Sequence, residues 1–160
     1  ARQEQVRDEL QGLSCGTALA ALLRPLGLVA APRKIPGSKV VLRIADAREV
    51  DESWPVGWPA QEAPVRVAPA LFERVHVEIR DTPLPEALAA IQKRVGGPFL
   101  FDHTSLARQQ IDPGRVKVSF PQDRTSYMKI LDQLLAQARL RSELRRDEAG
   151  KAFLWISAAR

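Results

Sequence analysis

Two histidines, one cysteine and scattered carboxylates are all that this 160-residue chain offers for covalent or acid–base chemistry. Asp102-His103 follows the apolar run Phe99-Leu100-Phe101. At a strand end, a histidine oriented by a carboxylate could serve as a general base. The same Asp102 could instead cap a turn at 103–106 and leave His103 to solvent. Ser105 then reads as a local cap and not as a nucleophile. His76 falls on the polar face of its own segment, far in sequence from His103, and no Cys-x-x-Cys or His-x3-His spacing accompanies either one, so a zinc site is excluded. Cys15 follows Ser14 at an expected helix N-terminus, a position that can activate a thiol, but no histidine neighbours it in sequence. A small, partly buried cysteine is the expectation there. The chain has no Gly-rich phosphate loop, no Gly-x-Ser-x-Gly and no carboxylate pair at a catalytic spacing. Catalytic, cofactor-binding and metal-binding residues are therefore expected to be none.

The remaining candidates are surface groups. Trp54 and Trp58 sit in the phrase Trp-Pro-Val-Gly-Trp-Pro. Paired aromatics can anchor a partner, or fold down as a lid over their own domain. Arg139, Arg141, Arg145, Arg146 and Lys151 crowd the C-terminal region, with Glu143, Asp147 and Glu148 among them. They read either as a contact for an acidic partner, nucleic acid or lipid headgroups, or as a solvated, ion-paired strand face, the expectation here. The candidate partner-binding residues are thus Trp54, Trp58, Asp102, His103, Arg141 and Arg145. The net charge of +5 is mostly arginine, in a composition with 12 prolines. No apolar run approaches the length of a membrane helix. No signal peptide is recognised, but the sequence starts at Ala1 without Met, so that absence says nothing about compartment.

The elements that must position these groups follow from periodicity. Val75, Val77 and Ile79 alternate with polar residues, the period of a half-buried strand. Asp81-Thr82-Pro83 reads as a cap with Pro at the first helical position. Leu84, Ala87, Leu88, Ile91 and Val95 then form a helical stripe, which Gly96-Gly97-Pro98 ends. Phe99–Phe101 is a short strand. A connection with one helical turn near Ser105–Gln109 leads to the turn Asp112-Pro113-Gly114 and to a strand through Val116, Val118 and Phe120. A second helix carries Tyr127, Ile130, Leu131, Leu134, Leu135 and Ala138, and residues 140–157 form a hairpin about Asp147–Gly150. The order is β-α-β-β-α-β-β. Its strands also repeat internally: Val75, Val77 and Ile79 match Val116, Val118 and Phe120.

A second repeat is more informative. Residues 14–44 align without a gap on 126–156. Leu19 falls on Leu131, Leu22-Leu23 on Leu134-Leu135, Leu28 on Leu140, and Leu42 and Ile44 on Leu154 and Ile156. Ser14 is expected to cap a helix whose buried stripe is Leu19, Leu22, Leu23 and Leu26. Strands at 28–32 and 39–45, joined at Pro36-Gly37, complete an α-β-β piece. The expected organisation is a half-unit at 1–45, a Pro/Trp-rich linker at 46–71 and a complete unit at 72–160. An α-β-β piece cannot cover both its helix and its sheet alone, so it should pack on the complete unit, on the linker or on a second chain.

Residues 74–158 resemble the short N-terminal domain shared by secretins and TonB-dependent transducers. The strand Val75–Arg80, the phrase Asp81-Thr82-Pro83-Leu84-Pro85-Glu86-Ala87-Leu88, the apolar strand ending in Asp102, and the second half through Val116–Phe120 and Ile130–Leu135 carry the likeness. The segment at about 14–45 resembles a partial second copy. The resemblance implies an α+β module with two helices sandwiched between small sheets, preceded here by an α-β-β half-unit. It also implies a periplasmic or otherwise extracytoplasmic protein that docks other proteins, or other modules of the same longer chain, without catalytic residues or cofactors. A homo-oligomer is compatible with it. No β-barrel, plug or KH-like secretin module follows in the sequence, and the Trp54–Pro59 segment is foreign to the pattern. The same strand and helix order also occurs in RNA-recognition modules, the alternative reading. Those need a basic-Gly-aromatic-x-aromatic strand, whereas Arg115–Phe120 has one aromatic and presents Lys117 and Ser119. No nucleic-acid partner and no membrane insertion are therefore expected. A small enzyme using Asp102 and His103 is the third alternative.

Overall fold

The computed structural model describes residues 10–37 and 39–159; the first nine residues of the expected half-unit, Ser38 and Arg160 lie outside them. The fold is α+β. In chain order it runs α1 (Cys15–Leu23), a 3-10 turn (Arg24–Leu26), β1 (Leu28–Ile35), β2 (Lys39–Asp46), β3 (Trp58–Pro59) and α2 (Pro64–Val67). A second 3-10 turn (Pro69–Phe72) leads to β4 (Arg74–Pro83), α3 (Leu84–Val95), β5 (Phe99–Phe101) and α4 (His103–Arg108). A third (Pro113–Arg115) precedes β6 (Lys117–Ser126), α5 (Tyr127–Gln137), β7 (Leu140–Arg146) and β8 (Ala152–Ala158). Two compact units result. One holds the described residues up to Trp58 together with Arg146–Lys151; the other holds Pro59–Arg145 and the described residues from Ala152 on.

The larger unit has one core. Leu84, Ala87, Leu88 and Ile91 of α3 and Ile130, Leu131, Leu134 and Leu135 of α5 enter it from the helices. Val118 and Phe120 come from the antiparallel pair β4–β6, and Phe99, Leu140, Leu154, Ile156 and Ala158 from the sheet ordered β3-β7-β8-β5. Leu71, in the turn after α2, joins the same cluster. The helical stripes read from the sequence are the faces that are buried.

Strand β8 is covered on both sides. Leu154 and Ile156 point into the core, while Phe153 and Trp155, on the opposite face, are also buried. Such a continuous apolar run suits a central strand. Its neighbour at the end of the sheet is β5, which pairs in parallel with Phe99, Leu100 and Phe101 opposite Leu154, Trp155 and Ile156. The bond from Leu154 N–H to the carbonyl of Pro98 (3.0 Å) and that from Asp102 N–H to the carbonyl of Ile156 (2.7 Å) frame this short ladder.

The start of α3 differs from the expectation. Asp81 caps nothing: β4 continues through it to Pro83, and α3 begins at Leu84 with Pro85 inside its first turn. Asp81 sits at φ +41°, a conformation that Asp tolerates better than most residues. The β4–β6 register slips there, from Ile79 opposite Phe120 to Thr82 opposite Val118. Ser119 Oγ accepts the Asp81 N–H (3.0 Å), and Lys117 Nζ meets the Asp81 carboxylate (2.7 Å). A bulge and a cap use the same residue types, and only the partner strand distinguishes them.

The smaller unit is built on α1 and the antiparallel hairpin β1–β2, in register from Leu28 opposite Asp46 to Ile35 opposite Lys39. Its elements fall where the repeat puts them. Gly27 after α1 has φ +71°, and Arg139, its counterpart after α5, has φ +57°. Burial does not follow the repeat. Leu134 is fully buried, whereas its counterpart Leu22 is exposed. Leu134→Ala is expected to cost about 2–5 kcal/mol of stability, and Leu22→Ala no more than about 1 kcal/mol. Urea unfolding of the two variants measures this directly; equal costs would show that Leu22 is packed as Leu134 is.

Candidate protein-docking surface

Helix α1 is fixed by its N-terminus, from the tip of the β7–β8 hairpin. Ser14 does not cap it: its N–H and Oγ both donate to Asp147 Oδ2 (2.9 and 3.0 Å). The free N–H groups of the first turn are instead met by Glu148, whose carboxylate accepts from Gly16 N–H (2.6 Å), Thr17 N–H (3.2 Å) and Thr17 Oγ1 (2.6 Å). A carboxylate at this end also complements the helix dipole. Asp147 further accepts the N–H groups of Ala149 and Lys151 (3.0 and 2.8 Å), which shapes the tip itself. Burial works against the charged form of both acids. The hydrogen bonds from Ser14, Lys151 and Ala149 outweigh it at Asp147, and those from Thr17 and Gly16 outweigh it at Glu148, so both carboxyls titrate below the ordinary range.

Trp54 lies against this junction. A methyl group on Gly16 would stand 2.5 Å from Trp54 Nε1, 2.8 Å from Trp54 Cε2 and 2.7 Å from Glu148 Oε1, so only glycine lets the indole approach the helix. Trp54 N–H donates to the Ala30 carbonyl (2.7 Å), which ties the segment along β1. Trp54 Nε1 is buried without a hydrogen-bond partner among the described residues. Trp58 meets Trp54 edge-on at 5.6 Å and remains exposed. The two tryptophans thus form one pair, with Trp54 on the helix and Trp58 at the surface.

The other sequence candidates belong to the larger unit. Asp102 is buried and caps α4, accepting Ser105 N–H (3.2 Å). Ser105 Oγ donates to the Asp102 carbonyl (3.0 Å) and accepts the Ala158 N–H (3.1 Å), so this trio joins α4 to β8. The His103 ring is 6.2 Å from that of Phe101. Arg141 Nε reaches Ser157 Oγ at 3.4 Å. Arg145 pairs with Glu143 (2.6 Å), and its guanidinium lies 5.2 Å over the Trp155 ring. Among the described residues, no group of three or more His, Cys, Asp or Glu could hold a metal ion.

What sequence reasoning missed is the opposite side of the smaller unit. Helix α1 buries Gly16, Thr17, Ala20 and Leu23; of the expected Leu19, Leu22, Leu23 and Leu26 stripe Leu23 is buried, Leu19 half-buried and Leu22 and Leu26 exposed, because Gly16 and Thr17 turn the helix start to the indole and the acidic tip. Cys15 is exposed, not partly buried. The repeat makes the consequence measurable. Leu134, Leu154 and Ile156 are 0%, 2% and 0% exposed, but their counterparts Leu22, Leu42 and Ile44 are 40%, 42% and 55% exposed. Leu26, Ile35, Val40 and Val41 are exposed as well. Val40, Leu42 and Ile44 share one face of the hairpin, and Ile35 and Val41 lie on the opposite one. Exposed apolar residues of core composition, grouped on β2 and at the edge of α1, are the usual mark of an interaction surface. Leu42 and Ile44 are legible in the sequence as core positions; their exposure is not. No family model, curated protein or solved structure matches the chain.

Two outcomes follow. Gly16→Ala forces the Trp54 ring off α1 and is expected to cost about 1–3 kcal/mol, read as a lower unfolding midpoint with altered tryptophan fluorescence; an unchanged midpoint would contradict the close approach. Asp147 and Glu148 have folded-state pKa values below their unfolded ones. Their contribution is therefore complete above the unfolded values of about 4 and is lost as pH falls through the depressed folded values. The acid-side loss of stability of the smaller unit should be shallower in the Asp147→Asn, Glu148→Gln double variant, measured as unfolding midpoint against pH; an unaltered slope would remove these two groups as its source.

Proposed function

We propose that the chain is a non-enzymatic protein-docking module of a larger extracytoplasmic bacterial protein, built on the plan of the short N-terminal domains of secretins and TonB-dependent transducers. The observation that carries this reading is the exposure of Leu22 on α1 and of Leu42 and Ile44 on β2, positions whose repeat counterparts Leu134, Leu154 and Ile156 are core. The polar groups that could have suggested chemistry have structural employment: Asp102 caps α4, Ser105 joins α4 to β8, and Asp147 and Glu148 hold α1. No described helix is long and apolar enough to cross a membrane, so a docking face is a better use of these residues than a helical anchor.

The periplasmic setting comes from the resemblance over 74–158, with 14–45 as the partial second copy. On this reading the larger unit is the complete copy, and Trp54, with Trp58 edge-on against it, binds the segment between the copies to α1. Protein partners, including other modules of the same longer chain, are then its ligands, and no cofactor is required.

Site-specific photo-crosslinking in the native cells tests the reading. A photoreactive residue at Ile44 is expected to give discrete protein adducts, and one at the exposed polar position Glu86 none. Leu42→Lys should abolish the Ile44 adducts while shifting stability by less than about 1 kcal/mol, as surface changes do. Adducts confined to lipid or nucleic acid, or equal yields from both positions, would overturn the docking role.

A further inference from the structure

We propose that the open face of α1, β1 and β2 receives a partner polypeptide built like Leu84–Phe101, an amphipathic helix followed by a short apolar strand, and that this strand adds in parallel to the free edge of β2. The inference rests on the docking reading above and names the chemistry of the occupant.

Three observations carry it. The first is the repeat. In the complete copy, Leu154 and Ile156 lie opposite Phe99 and Phe101 of β5 and share a core with Leu84, Leu88 and Ile91 of α3. Leu42 and Ile44 occupy the same places in the α-β-β piece, but among the described residues its sheet stops at β2. The missing cover therefore has a template in this chain: one strand at the edge and one helix over Leu22, Leu42 and Ile44.

The second is the direction of the backbone. The Ala30 carbonyl is bonded to Trp54 N–H, on the side of β1 away from β2. Ala30 is opposite Ile44 in the register, and opposed residues of an antiparallel pair turn their polar groups either both inward or both outward. Ile44, and Leu42 two residues before it, thus aim N–H and C=O at the outer edge of β2. These are the counterparts of the groups with which Leu154 and Ile156 bind the β5 segment through Pro98 and Asp102. An exposed edge with both groups aligned is a template for strand addition.

The third is charge. From Leu10 to Ala45 the sequence has no acidic residue, while Arg24, Arg33, Lys34, Lys39 and Arg43 are all basic. Arg33, Lys34 and Arg43 are exposed, Lys34 on the face of Leu42 and Ile44 and the two arginines on the opposite one. A strand with acidic residues at its ends, as Asp102 follows Phe101, complements this edge. Strand β2 has no aromatic residue on which bases could stack, so the chemistry favours a polypeptide over a single-stranded nucleic acid.

The test uses the full chain with a second copy of Leu84–Asp102 joined ahead of Ala1 by a flexible Gly/Ser linker, which holds the segment at about millimolar effective concentration. Amide hydrogen exchange at Leu42 and Ile44 is expected to slow by about tenfold or more relative to the unmodified chain. Ile44→Lys should remove that protection and leave Leu154 and Ile156 unchanged, which excludes a general loss of fold. No slowing at Leu42 and Ile44 would overturn the proposal. So would protection in the unmodified chain that rises with protein concentration, which assigns the edge to a second copy. Protection by phosphatidylglycerol vesicles in place of the segment would overturn it in favour of a lipid surface. If Ile44 still crosslinks to protein in cells while the tethered segment fails, the docking role stands and this occupant is wrong; if both fail, both readings fall.

Discussion

An apolar face has to be covered, and the piece spanning α1, β1 and β2 carries more apolar surface than the described chain covers. A helix and a hairpin can shield one another on one side only. Here that side is taken by Gly16, Thr17, Ala20 and Leu23, closed by Trp54 and the Asp147-Glu148 tip. Leu22, Leu42 and Ile44 stay exposed, although Ala30, across the pair from Ile44 on the same sheet face, is buried. Full burial of a leucine or isoleucine is worth about 1.5–3 kcal/mol, so leaving these residues half-uncovered forgoes several kcal/mol that the complete copy collects from the same positions. Every functional statement about the molecule depends on that asymmetry.

The clamp at the N-terminus of α1 explains how the piece keeps its form while its apolar side stays open. Glu148 takes up the N–H groups of Gly16 and Thr17, and Asp147 takes up Ser14. These bonds join positions more than a hundred residues apart in sequence. They replace by charge-assisted hydrogen bonding part of what packing would otherwise supply. Gly16 is the steric condition for the arrangement, since any side chain there meets the Trp54 ring. Under the proposed docking role, a surface built this way is ordered before any partner arrives, which lowers the ordering cost of binding.

Much of the fold was legible in the sequence, where local pattern and final environment agree. The stripes of α3 and α5, the alternation of β4 and β6, the hairpin of β7 and β8, and the α-β-β order implied by the 14–44 repeat all depend on periodicity, and each is found, although β1 runs on to Ile35, past the expected 32, and β4 to Pro83. The failures share one cause, a partner distant in sequence. Asp81 looks like a cap until β6 is set beside it and the register slips. Ser14 looks like a cap until Asp147 claims its hydroxyl. The leucine stripe of α1 looks like a core face until Trp54 and the acidic tip select the small residues instead. Of the candidate site, Trp54, Trp58 and the caps were visible as residue types, whereas the open face was invisible because exposure is a property of what is missing beside a residue.

The most direct measurement is residue-resolved hydrogen exchange on the unmodified chain, comparing Leu42 and Ile44 with Leu154 and Ile156. An open edge on β2 requires fast exchange at the first pair and strong protection at the second, whose strand is bonded to β5. Equal, strong protection at all four amides in dilute solution would contradict an open half-copy, and with it the docking face on which the proposed function stands.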